Sequence, residues 1–255
     1  MTRLDRAFLG APLAHRALHD VADGRPENSR AAIAAAMGRG YGIEIDLQLS
    51  RDGAAMVFHD YDMARLTGQP GPVQQRAAAA LADVPLLGGN EGVPTLDEVL
   101  AQVAGRVPLL IELKDQHGQM GVTDGRLEQA TAVALRDYDG PVAVMSFNPE
   151  MMVRMRDLAP GVARGLVTCD YTEEDWRLLR AEVRDRLREI PDFDRAGAGF
   201  VSHQARDLDR GRVAELQQAG ADILCWTIRS PEEEAAARRV AGNITFEGYL
   251  PAIPA

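Results

Sequence analysis

Two short segments carry acidic side chains in an alternating pattern that suits metal chemistry. In GIEIDL, residues 42–47, Glu44 and Asp46 alternate with aliphatic residues, so a strand turns both carboxylates to one face. In LLIELK, residues 109–114, the same alternation turns Glu112 and Lys114 to one side. Burying like charges together is costly unless a cation compensates, and hard divalent cations prefer oxygen ligands. Glu44, Asp46 and Glu112 therefore predict a site for Mg²⁺ or Ca²⁺.

Each of these patterns also has a simpler explanation. Glu44 and Asp46 could form a solvated strand face at the edge of a sheet. Glu112 and Lys114 could form an ion pair with a purely structural role. Metal coordination is the hypothesis that explains the three acids together.

Histidine is scarce, and two of the five histidines end strand-like runs close to these acids in the predicted fold. They are His15, which is followed by Arg16, and His59. Imidazole titrates near neutral pH and can both take and give a proton, so the two predict a general acid and base pair. The alternative for each is a hydrogen-bonded histidine in the core.

Short apolar runs alternate with amphipathic stretches, as expected when helices cover a parallel sheet. Eight strands are predicted: Phe8–His15, Tyr41–Leu47, Val107–Lys114, Pro141–Phe147, Ala163–Thr168, Gly199–His203, Asp222–Ile228 and Asn243–Glu247. Helices are predicted between them: Ser29–Arg39 with Asn28 as its N-cap, Arg126–Tyr138, Pro149–Leu158, Thr172–Glu189, Asp209–Ala219 and Pro231–Val240. The pattern is α/β, and its strand count fits either a closed barrel or an open doubly wound sheet.

One stretch breaks the alternation. Residues 60–106 follow a further strand-like run, Ala54–His59, and are too long for an ordinary loop between a strand and a helix. We predict one domain over residues 1–255, in which residues 60–106 form an insertion at the mouth of a barrel.

Composition limits the partners. The formal charge is −10, so the overall field repels nucleic acid and anionic membranes, and an anionic substrate needs a local cationic site. No run of about 18 apolar residues occurs, and the start lacks the long apolar run of a signal peptide. We expect a cytoplasmic protein with no stable membrane insertion and no nucleic-acid partner. Cys169 and Cys225 lack CxxC spacing and are predicted to be buried thiols.

A series of motifs resembles the glycerophosphodiester phosphodiesterase family. In chain order they are HRA (15–17), PENS (26–29), GIEIDLQLSRDG (42–53), VFHD (57–60), VPTLDEVL (93–100), LLIELK (109–114), MSFNP (145–149) and CWTI (225–228). The resemblance covers nearly the whole chain. It implies a (β/α)₈ TIM barrel with a small insertion after the second barrel strand.

The resemblance also implies roles for individual residues. His15 and His59 become the catalytic pair, Glu44, Asp46 and Glu112 the metal ligands, Arg16 and Lys114 the phosphate contacts, Glu27 a support for Arg16, and Trp226 a wall of the pocket. Two positions depart from the family pattern. Ala17 stands where the family usually has Gly, and Glu247 stands where many members have Asp.

These observations favour metal-dependent hydrolysis of a small-molecule glycerophosphodiester to glycerol 3-phosphate and an alcohol. We assign His15 as the base and His59 as the acid. Other hypotheses stay open: a lysophospholipid or sugar phosphodiester as substrate, a phosphate-ester sensor without turnover, or a metal-dependent barrel lyase or isomerase.

Overall fold

The structure is a computed structural model and describes residues 2–254. Its parallel strands, in order around the barrel, are β1 (Leu13–Ala14), β2 (Gly42–Leu49), β4 (Leu109–Leu113), β5 (Val142–Ser146), β6 (Ala163–Thr168), β7 (Phe200–Gln204), β8 (Asp222–Ile228) and β9 (Asn243–Phe246). Leu13 pairs with Gly42 on one side and with Thr245 on the other, which closes the sheet. The predicted (β/α)₈ barrel is confirmed.

The first strand is much shorter than the predicted Phe8–His15. Arg6–Leu9 forms a 3₁₀ helix, because the Asp5 carboxylate accepts a hydrogen bond from the backbone N–H of Ala7 and starts a turn. The side-chain amide of Asn243 then donates to the carbonyls of Phe8 and Ala11, so these groups do not join the sheet. The prediction was wrong before Leu13 because it counted apolar residues and overlooked the cap.

The helices are α1 (Arg30–Gly38), α2 (Ala64–Thr67), α3 (Ala78–Ala82), α4 (Leu96–Val103), α5 (Arg126–Leu135), α6 (Pro149–Leu158), α7 (Ala181–Arg188), α8 (Gly211–Gln218) and α9 (Pro231–Ala237). The predicted helix Thr172–Glu189 is helical only from Ala181. Arg180 is extended, with ψ at 150°, and the turns before it pack the buried Leu179 and the partly buried Trp176 against Tyr171.

Alternate residues of the strands face two different cores. Outward side chains such as Ile45 and Ile111 pack beneath the helices. Inward side chains such as Leu110 and Phe200, together with Phe8 of the 3₁₀ helix, fill the amino-terminal end of the barrel. A Cβ on Gly165 would lie 2.4 Å from the Phe200 ring, so only glycine fits there. The filled floor leaves the carboxyl ends of the strands as the open end.

The chain after β2 builds additional structure. Strand β3 (Ala55–Val57) runs antiparallel to β2. Residues 60–95, here called the rim segment, contain α2 and α3 and share a small apolar core with β3 that includes Met63 and Leu66. Helix α4 begins with a Thr95–Glu98 capping box and packs between α1 and α5, within the outer helical layer. None of the helices in residues 2–254 is long and apolar enough to cross a membrane.

Candidate active site

Three buried carboxylates meet inside the open end of the barrel. Glu44 and Asp46 point inward from β2, and Glu112 points inward from β4, where it pairs in register with Asp46. One carboxylate oxygen from each of the three lies within 4.8 Å of the others. The period of two along neighbouring strands thus brings the three predicted metal ligands to one point.

Two cations approach this cluster. The ammonium Nζ of Lys114 lies 2.8 Å from Asp46 Oδ1 and 2.8 Å from Glu112 Oε1. The guanidinium Nε of Arg16 lies 3.7 Å from Asp46 Oδ2. Burial alone would raise the pKa of Asp46, but the Lys114 ammonium and the Arg16 guanidinium hold it well below its usual range. Burial works against the charge of Lys114, yet the two carboxylates raise its pKa above the ordinary value.

Glu44 shows that the cluster suits a further cation. It accepts a hydrogen bond of 2.9 Å from the backbone N–H of Arg16. Burial raises the pKa of Glu44 well above its ordinary value, and the charges of Asp46 and Glu112 raise it further. A positive charge beside this carboxylate would oppose both effects. Three hard oxygen donors with excess negative charge fit a divalent cation such as Mg²⁺ or Ca²⁺.

His15 stands after β1 and is held by a carboxylate from the other end of the chain. Its ring Nδ1 lies 2.6 Å from Glu247 Oε2. An ionised carboxylate can only accept, so Nδ1 donates and Nε2 stays without its proton in the neutral ring. Burial lowers the pKa of His15, although Glu247 acts in the opposite direction. The guanidinium of Arg229 lies 2.6 Å from Glu247 and holds the carboxylate in place.

His59 follows β3 and is held by its neighbour in the chain. Its Nδ1 lies 2.7 Å from Asp60 Oδ1 and donates to that carboxylate. Burial would raise the pKa of Asp60, but the hydrogen bonds from His59 and Arg65 lower it below its usual range. Glu27 contacts Arg16 as predicted: Nη1 of Arg16 donates to Oε1 of Glu27 at 2.9 Å.

The sequence prediction assigned Asn28 to the wrong task. Ser29 caps α1, because its hydroxyl accepts from the backbone N–H of Ala32. Asn28 has a positive φ of 59°, which aims its side-chain amide at Asp46 Oδ2, 2.9 Å away. Asn adopts a positive φ more readily than most residues. The sequence signal that could have revealed this role is that Ser29, directly after Asn28, can cap α1 by itself.

One pocket of about 170 Å³ brings most of the predicted site residues together. It is lined by His15, Arg16, Glu44, His59, Glu112, Lys114 and Trp226, together with Met145, Phe147, Val167, Thr227, Arg229 and Thr245. Asp46 contributes to the same cluster from below the pocket lining. Trp226 lies edge to face with Phe147 at 5.5 Å between ring centroids and donates to the carbonyl of Ser202.

Two further polar residues, His203 and Asn148, lie outside this pocket although they are close to the carboxyl ends of strands. His203 is fully buried, with Nδ1 2.7 Å from the Thr168 hydroxyl and Nε2 3.2 Å from Asp207 Oδ2. Asn148 caps α6 and donates its amide to Asp115. Both side chains form hydrogen bonds that hold neighbouring strands and loops together.

A larger cleft of about 880 Å³ adjoins the pocket. The two cavities share Trp226, Thr227 and Arg229, and the cleft continues along Trp176. Trp176 and Trp226 both contact Phe147, with centroid separations of 4.9 and 5.5 Å. The aromatic wall therefore runs from the pocket into the cleft.

Comparison with known proteins agrees with this geometry. Residues 15–244 match the sequence profile described as the Glycerophosphoryl diester phosphodiesterase family. YhdW of Bacillus subtilis (strain 168) is 27% identical over 233 residues, which cover 88% of each protein. A glycerophosphodiester phosphodiesterase of Caldanaerobacter subterraneus subsp. tengcongensis is 30% identical over 168 residues, covering 62% of this chain and 68% of the relative. An Oleispira antarctica phosphodiesterase, solved in complex with its product sn-glycerol-3-phosphate, shares the fold with a TM-score of 0.76 at 23% identity, over 94% of each chain.

Proposed function

Because the chain belongs to the glycerophosphoryl diester phosphodiesterase family, we propose that it hydrolyses glycerophosphodiesters to glycerol 3-phosphate and an alcohol at this pocket. The observation that carries the proposal is the convergence of two histidines, two cations and three acids around one cavity. The product found in the Oleispira antarctica phosphodiesterase supports the same choice of substrate.

Glu44, Asp46 and Glu112 would hold a divalent cation, Mg²⁺ or Ca²⁺. When bound, this ion supplies positive charge to the phosphate oxygens as negative charge grows on them. Arg16 and Lys114 line the same pocket and would contact the phosphate from the protein side. Their cationic groups meet the need for a local positive site in a chain of formal charge −10.

The two histidines would divide the proton transfers. In the neutral ring, Nε2 of His15 can accept the proton of the attacking hydroxyl, because Nδ1 donates to Glu247. His59 would give a proton to the leaving oxygen as the bond from phosphorus to that oxygen breaks. The new bond from phosphorus to the attacking oxygen replaces it, and the alcohol leaves neutral. The attacking hydroxyl belongs either to water, which gives glycerol 3-phosphate directly, or to the substrate's own neighbouring carbon, which gives a cyclic phosphate that water then opens to glycerol 3-phosphate.

The alcohol can occupy the adjoining cleft. The catalytic pocket has room for a glycerol phosphate group, and the cleft opens from its Trp226 side with about 880 Å³. A panel of glycerophosphodiesters with choline, ethanolamine, glycerol, inositol or an acylated glycerol will show which alcohols are accepted. Lysophospholipids and sugar phosphodiesters belong in the same panel.

The direct test is release of glycerol 3-phosphate from glycerophosphocholine with Mg²⁺ or Ca²⁺. We expect chelation to remove the activity and either ion to restore it. We also expect loss in His15→Ala, His59→Ala and Glu44→Gln. Normal turnover in all three variants would contradict the proposal, and so would tight binding of glycerophosphocholine without its hydrolysis at any metal concentration.

A further inference from the structure

A single arginine of the rim segment connects both sides of the pocket. Arg65 donates Nε and Nη2 to the two carboxylate oxygens of Asp60, at 2.6 and 2.8 Å. It donates Nη1 and Nη2 to the two carboxylate oxygens of Glu27, at 2.8 and 2.9 Å. Both contacts are bidentate, the geometry in which a guanidinium fixes carboxylates best.

The two carboxylates in turn hold two residues of the pocket. Asp60 accepts from His59 Nδ1, and Glu27 accepts from Arg16 Nη1. The contacts form one chain from His59 through Arg65 to Arg16. Arg65 does not line the pocket itself. On the basis of the proposed function, we propose that Arg65 is a positioning residue that sets the orientation of His59 and Arg16 together.

The backbone that carries Arg65 is firmly packed. Met63, directly before α2, and Leu66 within α2 lie in the apolar core of the rim segment, and the Thr67 hydroxyl donates to the carbonyl of Met63. The Arg65 side chain itself is 49% exposed. Truncating it removes charge contacts and leaves the apolar anchors intact, so an Arg65→Ala protein is expected to fold.

Loss of Arg65 would act on both pocket residues. Asp60 and Glu27 would face one another across the vacated position as two negative charges without the cation between them, and they would turn apart. Asp60 would then no longer fix the ring of His59, and Glu27 would no longer hold Arg16 in one orientation. Losing an outer partner of this kind typically costs about 10- to 100-fold in activity.

The chain offers a matched control. Arg195 contacts Glu150 with a bidentate pair at 2.6 and 3.1 Å and also donates to Asp192 at 2.7 Å. Its side chain is 41% exposed, similar to that of Arg65, and its carboxylate partners contact none of the pocket residues in the hydrogen bonds of the structure. Arg195→Ala therefore removes comparable surface charge contacts without touching the site.

The experiment compares Arg65→Ala, Arg65→Lys and Arg195→Ala in hydrolysis of glycerophosphocholine. For Arg65→Ala we expect kcat to fall about 10- to 100-fold, with a smaller rise in KM and a melting temperature like that of Arg195→Ala. Lys supplies one point charge and cannot hold two carboxylates bidentately, so Arg65→Lys should be intermediate. Millimolar methylguanidinium should restore part of the activity of Arg65→Ala and leave Arg195→Ala unchanged.

A second measurement separates this inference from the proposed function. Calorimetric binding of sn-glycerol 3-phosphate needs no turnover and reports on Arg16. Weaker binding to Arg65→Ala than to wild type and Arg195→Ala supports the inference even if the wild-type protein fails to hydrolyse the diester. Equal kcat and equal product binding in the two alanine variants would overturn it, as would a loss of activity explained by a lower melting temperature and unaffected by methylguanidinium.

Discussion

The two histidines of the pocket each donate a ring N–H to a carboxylate, but different parts of the molecule build the two pairs. His15 and Glu247 are separated by 232 positions and meet because β1 and β9 are neighbours in the closed barrel. His59 and Asp60 are adjacent in the chain and depend on the rim segment. The His15 side chain is 15% exposed and that of His59 is 28% exposed.

This difference suggests a division of labour. The barrel fixes His15 in a less hydrated position, where burial lowers its pKa and favours the neutral form that can accept a proton. The rim segment holds His59 closer to solvent, next to an exposed arginine network. Loops tolerate sequence change better than the barrel that carries them, so changes in the rim segment can alter the proposed acid without altering the proposed base.

The largest expected effect tests this division directly. Replacing either His15 or His59 with Ala should lower kcat for glycerophosphocholine about 10²- to 10⁴-fold. A substrate with a 4-nitrophenol leaving group needs no proton on departure, so it should rescue His59→Ala and not His15→Ala. Steady-state kinetics with both substrates measures the difference. Rescue of His15→Ala alone would reverse the assignment of base and acid.

Removing the charge of each carboxylate should have the next largest effect. Glu247→Gln and Asp60→Asn keep the size of the side chain but remove the negative charge that accepts the histidine Nδ1 hydrogen bond. Each substitution should lower kcat about 10- to 100-fold. We expect Asp60→Asn and Arg65→Ala to be non-additive, because they interrupt one network, and Glu247→Gln and Arg65→Ala to be additive. Double-mutant cycles of kcat provide the measurement, and additivity in both would contradict the separation into two sides.

The pH profile should distinguish the two sides more finely. Burial lowers the pKa of His15 below its ordinary value, so we expect the proposed base to be neutral at pH 7 and the activity to fall only when the pH drops below the usual histidine range. The Glu247 carboxylate raises the His15 pKa against the effect of burial, so Glu247→Gln should move the acidic limb of kcat/KM to still lower pH. A shift to higher pH would contradict His15 as the group that produces this limb.

The smallest expected effect concerns the turn after His15. Arg16 and Ala17 have positive φ values of 52° and 65°, whereas none of residues 57–61 around His59, all of which the structure describes, has a positive φ. Ala17→Gly should stabilise the fold by about 1 kcal/mol, because glycine adopts this conformation without the cost of a Cβ. Ala104, with φ at 47° at the end of α4, gives the matched variant Ala104→Gly. Thermal unfolding should show similar gains for both, and only Ala17→Gly should alter kcat, by a few-fold at most.

The sequence predicted those parts of the site that depend on local pattern. Alternation within β2 and β4 placed Glu44, Asp46 and Glu112 on inward faces, and adjacent strands then brought them together. The sequence could not predict contacts that form when the barrel closes or that depend on irregular backbone conformations. His15 and Glu247 meet only because the first and last barrel strands become neighbours when the sheet closes, and the alternation of residues within a strand does not reveal this contact.

Errors in the predicted elements have the same origin. The predicted start of the first strand forms a 3₁₀ helix capped by Asp5 instead. Whether such a segment forms a turn or pairs with another strand depends on distant partners, here the Asn243 amide that binds the Phe8 carbonyl. Asn28 was assigned by propensity to a cap that Ser29 takes, while Asp46 uses the Asn28 amide. Residue propensities say which local conformations are favourable, but a tertiary contact decides which of them the chain adopts.

The two-residue length of β1 affects when activity can arise. Each of its sides is joined to the barrel over two residue pairs. The β9 side is extended by the bond from the His15 N–H to the Phe246 carbonyl, and the β2 side by the bond from the Ala17 N–H to the Glu44 carbonyl. Closure between the most distant parts of a chain is entropically slow, so we expect this seam to form last and to open first. Backbone amides of residues 13–15 should then exchange with deuterium before those of β4. Because Glu247 reaches His15 only across the closed seam, we expect a nascent polypeptide to gain full activity only after β9 has docked.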